Sequence, residues 1–123
     1  MAGTIVIDTV KSSTTGAPAF QNTSGTQIGT LCRAWVQFAG ASGTIAAGFN
    51  VSSVTRASTG VYTVNLTNAL ADANYAVVVT AGASGQTESQ VALTFTTTSF
   101  AVQTQRSGTG VIDDALVSVA VFR

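Results

Sequence analysis

The residue types that carry most protein chemistry are thin in this chain. Its 123 residues include no His and a single Cys, Cys32. That excludes a Ser-His-Asp or Cys-His arrangement, an imidazole metal ligand and a thiolate zinc site. Cys32 adjoins Arg33, and a neighbouring cation lowers a thiol pKa. In a strand, however, adjacent side chains point to opposite faces, so Cys32 reads as a small buried apolar residue. Asp113 and Asp114 are the paired carboxylates. As neighbours at a strand entry they splay rather than converge, which argues against a glycosidase-type pair. No Asp-rich loop supports a calcium site either, and the pair reads as a solvated turn. Gly108-Thr109-Gly110 matches half of a phosphate-binding fingerprint, without the third Gly or a following helix, and a hairpin turn accounts for it. No catalytic, cofactor-binding or metal-ligating set is expected.

Trp35, Tyr62 and Tyr75 have the ring chemistry to stack on sugars. Each lies within or at the start of an apolar run, so core or subunit interface is the preferred reading. The triplets at Asn22, Asn50 and Asn65 match the glycosylation acceptor, but no secretory signal accompanies them.

Charge bounds the partners. Five Lys+Arg balance five Asp+Glu, and only 8% of residues are charged, against roughly 25% in ordinary soluble domains. Near-neutral, charge-poor chains associate easily. Part of the 46% hydrophobic content is therefore expected between subunits. The cations are scattered, which argues against a nucleic-acid groove. No apolar run reaches the roughly 20 residues that span a bilayer, and residues 1–11 lack the features of a signal peptide. Gly3 is one place too late for myristoylation. Synthesis in a cytoplasm is expected, in keeping with one unpaired Cys.

The elements that position these residues follow from alternation. Residues 4–10 (TIVIDTV) read as a short strand. Residues 11–30 are polar and loop-like, an arm on a neighbour or cover for a short strand near residues 17–21. Residues 31–38 form the first clear strand, with Ala34, Val36 and Phe38 on one face and Arg33, Trp35 and Gln37 on the other. Residues 45–54 read as one strand bulged at Ser52 and Ser53. Residues 61–66 alternate, with Tyr62, Val64 and Leu66 together. Residues 67–74 are a bend, and strands follow at 75–80, 91–97, 100–105 and 115–122. Residues 81–90 form a loop tip suited to recognition. About seven or eight strands without a helix predict an all-β fold, an antiparallel β-sandwich of jelly-roll type. Two regions are expected: residues 1–30, a strand and extended arm for attachment, and residues 31–123, the sandwich.

The segments CRAWVQF, GFNVSSVT, STGVYTVNL and NALADANYAVVV, followed by the ending DDALVSVAVFR, resemble in order and spacing a module of bacteriophage tail-fibre and virion structural proteins, including many from phages of aquatic bacteria. The likeness runs over residues 21–123. It implies a β-rich, virion-exposed and non-enzymatic module, commonly trimeric, made in a bacterial host cytoplasm and carried on the particle. Other virion proteins and a host-surface glycan are the implied partners. The expected role is a small trimeric tail-fibre knob for assembly and host adhesion. Capsid decoration (cement or head fibre) and a free carbohydrate-binding module are the alternatives. The leader is too short for a fibre shaft. The face carrying Trp35 or that carrying Phe38 is expected to pack on a neighbouring subunit.

Overall fold

The computed structural model describes residues 3–12, 17–82 and 88–123, without the side chains of Glu88 and Ser89. The chain divides into two compact units, Met1–Leu31 and Cys32–Arg123.

In the first unit, residues 4–10 do not form the expected strand. Apolar character alone does not make a strand; a ladder partner does, and none is present among the described residues. Ile5 and Val6 stay 83% and 90% exposed. The short strand expected near residues 17–21 is present as β1 (Phe20–Gln21), antiparallel to β2 (Gln27–Gly29). Asn22 makes the turn between them, its Oδ1 accepting from the amides of Ser24 and Thr26 at 3.0 and 2.9 Å.

The second unit is an all-β antiparallel sandwich of two sheets. Sheet I contains β3 (Cys32–Phe38), β4 (Ile45–Phe49), β7 (Ala76–Ala81) and β11 (Val117–Phe122), in the order β4-β3-β11-β7. Sheet II contains β5 (Val51–Ser58), β6 (Val61–Leu66), β8 (Glu88–Leu93), β9 (Ser99–Arg106) and the short β10 (Gly110–Val111). There β6 lies between β5 and β9, while β8 and β10 both pair with β9. No helix long and apolar enough to cross a membrane occurs among the described residues.

Period-two alternation places the core. Ala34, Val36 and Phe38 of β3 and Val117, Val119 and Val121 of β11 point inward from sheet I. Tyr62 and Val64 of β6 and Phe100 and Val102 of β9 meet them from sheet II. Phe38 and Tyr62 pack edge to face, centroids 5.0 Å apart, a geometry favoured by the ring quadrupoles. Tyr75 packs in the same manner against Phe95 and Phe100, and its hydroxyl donates to the Thr96 and Ser99 carbonyls at 2.9 and 3.1 Å.

Residues 45–54 are not one bulged strand. The chain changes sheets at Asn50, which sits at φ 56°, a left-handed conformation that Asn tolerates better than most residues. Its side chain secures the crossing. Nδ2 donates to the Arg33 and Asn68 carbonyls, and Oδ1 accepts from the Asn68 amide at 2.7 Å. A bulge does follow at Ser52, where the β5–β6 register shifts between Val51 and Ser53. The strand expected over 91–97 instead ends at Leu93, before Thr94 at φ 49°. Of the expected loop tip at 81–90, residues 83–87 lie outside the described residues and 88–90 belong to β8.

Candidate functional site

The outer face of sheet I carries a row of apolar side chains across all four strands. Phe49 pairs with Trp35, Trp35 with Ala120, and Ala120 with Val78. These positions alternate with the core residues of the same strands, so all four face outward. Phe49, Trp35 and Val78 remain 58%, 42% and 54% exposed. The next row, Ala47, Gln37, Ser118 and Thr80, is small and neutral. Gln37 Nε2 donates to Ser118 Oγ at 3.4 Å. Between these rows lies a shallow open groove of about 470 Å³, with Trp35 in its lining.

The outer face of sheet II differs. It carries Ser53, Thr55, Thr63, Asn65, Ser99 and Gln103, with Val61 and Ala101 among them and Val91 and Leu93 at the β8 end. Asn65 Nδ2 donates to Ser53 Oγ at 3.0 Å, and Ser52 Oγ donates to the Asn65 carbonyl at 3.2 Å. Both outer faces mix polar and apolar side chains; sheet I carries the larger exposed rings, Phe49 and Trp35.

The structure separates the two residues expected at a subunit interface. Phe38 is fully enclosed between the sheets, whereas Trp35, three residues earlier, is open on the outside. Of these two side chains, only Trp35 is exposed to solvent. Cys32 is half-buried, with Sγ 3.2 Å from the Ala34 carbonyl. Of the three candidate stacking rings, Tyr62 and Tyr75 are buried and Trp35 is exposed. Gly108-Thr109-Gly110 lies in the β9–β10 turn, where Gly108 and Gly110 take positive φ.

Asp113 and Asp114 correct the reading of a solvated turn. Asp113 turns back to β5, where it takes Arg56 Nε at 2.9 Å on Oδ1 and Nη2 at 2.6 Å on Oδ2. Oδ1 also accepts from the Gly60 amide at 2.8 Å and the Tyr62 hydroxyl at 3.1 Å. The Arg56 guanidinium, with those donors, holds the Asp113 carboxyl down at about 2 against partial burial. Burial, reinforced by Asp113, pushes the Tyr62 phenol up. Asp114 is buried, with Oδ1 3.4 Å from Arg106 Nη2. The two carboxylates therefore answer different arginines. Asp113 locks the β5–β6 turn to the segment entering β11, a structural task. The sequence held no local signal of this, because Arg56 is far from Asp113 in the chain.

Among the described residues, no group of three or more His, Cys, Asp or Glu side chains is placed to hold a metal ion. No protein-family model matches the chain, and no curated protein matches it. Among solved structures, the chain is weakly similar to the phiAB6 tailspike, determined in complex with three-repeated oligosaccharides of Acinetobacter baumannii surface polysaccharide. The two share 18% identity at a TM-score of 0.44, over 95% of this chain and 30% of that one. This chain thus spans less than a third of the tailspike's length, and a likeness at this level assigns neither function nor ligand.

Proposed function

We propose that this chain is a non-enzymatic structural module of a tailed bacteriophage particle, a small homotrimeric knob of tail-fibre type serving virion assembly and adhesion to the host surface. The observation that carries the reading is the uncharged apolar row Phe49, Trp35, Ala120 and Val78, left uncovered on the outer face of sheet I. A contiguous apolar face of this kind marks an association surface. The near absence of charge supports self-association, and the ordered segments CRAWVQF to DDALVSVAVFR support the phage setting. The carboxylates Asp72, Asp113 and Asp114 are each engaged with an arginine, which supports a scaffold rather than a catalyst.

Two measurements test this. Sedimentation of the purified chain is expected to give a trimer that Trp35→Ala weakens; a monomer at all concentrations overturns the oligomer. Immunogold labelling of intact virions is expected to mark the tail. Label over the head would make the protein a capsid decoration module, and virions without label would remove the particle reading altogether.

A further inference from the structure

We propose that the two free edges of sheet I are the joints of the assembly, β7 of each copy adding to β4 of the next around a three-fold axis. This deepens the trimer reading above and rests on it.

An edge strand leaves a row of amides and carbonyls without a ladder, and proteins blunt such edges with charge, proline or bulges. Sheet II follows that rule. Its edge strand β5 carries Arg56 and two register shifts. Gly43 lies so close to β5 that a Cβ there would stand 2.7 Å from the Val54 carbonyl oxygen. Beyond β9, β10 is two residues long and β8 opens with Glu88. Sheet I is different. β4 (IAAGF) and β7 (AVVVTA) hold no charge and no proline. β7 pairs with β11 over six residues without a register shift. Among the described residues, no strand pairs with the outer side of β4 or of β7.

The core is also unsealed at these edges. The hydrophobic residues only partly buried against it include Ile45 of β4 and Val77, Val79 and Ala81 of β7, the others being Val51 and Val54 of β5. A strand added beside β7 covers its inward valines from the side and removes more apolar surface from water.

Strand direction selects the pairing. The four strands of sheet I are each antiparallel to their neighbours, so β4 and β7 run in opposite directions. Rotation about an axis along the strands preserves direction. β7 of one copy therefore meets β4 of the next antiparallel, the more stable ladder. A two-fold contact of β7 with β7 would also be antiparallel but would leave β4 open, whereas a ring occupies both edges and closes. An even offset between the joined strands keeps inward residues with inward ones. With the outer face of sheet I toward the axis, the ring also covers Trp35.

Directed cross-linking in the full chain tests the joint. Ala47 of β4 and Val78 of β7 both face outward and are exposed. Within one sheet they stand three strand spacings apart, about 14 Å. In a Cys32→Ser background, the double variant Ala47→Cys, Val78→Cys is treated with a bismaleimide spanning about 8 Å, the reach of diagonal neighbours on adjacent strands. A covalent trimer is expected from the double variant and no covalent species from either single one. A covalent dimer from Val78→Cys alone, or a sedimenting trimer that the reagent does not link, overturns the edge joint. Amide exchange of the wild-type trimer gives a second reading that needs no variant. Outward amides of β4 and β7 are expected to exchange at least about tenfold more slowly than in the diluted, dissociated chain. Equal rates at both edges overturn the joint while the trimer stands. A wild-type chain that is monomeric at every concentration overturns the joint and the assembly reading together.

Discussion

Asp113 and Arg56 stand 57 positions apart and meet as a two-pronged carboxylate–guanidinium pair, Oδ2 lying 2.6 Å from Nη2. Bidentate pairs of this kind are among the stronger charged contacts. The Asp113 carboxyl is held at about 2, below its ordinary 3.8. A lowered carboxyl pKa contributes stability that is fully present above the unfolded value and is lost as pH falls through the folded one. The stability of the sandwich should therefore decline between about pH 4 and pH 2. Asp113→Asn should cost on the order of 1 kcal/mol at neutral pH and flatten that decline. Urea unfolding across this pH range reads both.

Phe38 and Trp35 should separate folding from assembly. Phe38→Ala empties a core site against Tyr62 and should cost about 3–5 kcal/mol of stability. Trp35→Ala, on the exposed side of the same strand, should leave unfolding of the isolated subunit within about 1 kcal/mol while weakening the oligomer. Chemical unfolding, compared with sedimentation, distinguishes the two. Equal losses of stability from both would refute the assignment of faces.

Asn50 should resist replacement by β-branched residues. Asn50→Val puts a branched side chain at φ 56° and removes the hydrogen bonds to the Arg33 and Asn68 backbone. A cost of about 3 kcal/mol or more is expected. Asn50→Gly keeps the conformation accessible and should cost clearly less. A thermal melt in which the two variants coincide would mean that backbone strain has no part there.

Gly40 and Gly108 should both lose stability on replacement by alanine, for different reasons. A Cβ on Gly40 would lie 2.6 Å from the Tyr62 hydroxyl and strike the Asp114 carbonyl. Gly108 has positive φ and open space around it. Gly108→Ala should cost about 1–2 kcal/mol from backbone conformation alone. Gly40→Ala should cost more, and its yield of folded protein should drop.

Alternation made β3 and β6 legible, because a half-buried strand writes its two faces into every second residue. It also divided Trp35 from Phe38, though not which face turns inward. That choice depends on the opposite sheet, where Tyr62 and Val64 supply the cover. The sheet change at Asn50 was hidden, since one left-handed residue between apolar runs reads much like a bulge. Residues 4–10 misled through composition: Ile and Val favour strands but cannot supply a ladder. The roles of Asp113 and Asp114 were illegible because both arginines reach them through tertiary contacts, and a local pattern of Asp before a strand also describes a wet turn.

The position of β11 has a consequence for synthesis. It pairs with β3 on one side and β7 on the other, so the centre of sheet I is filled by the last-made of its four strands. While the ribosome is still short of residue 117, β3 and β7 lie apart with a vacant lane between them. Each then presents an open edge, a template for pairing with the wrong chain. Hairpins of sheet II can form as they emerge, but sheet I must wait. A nascent chain that stalls before this strand lacks Ala120, the link between Trp35 and Val78, so early termination yields an incomplete apolar row.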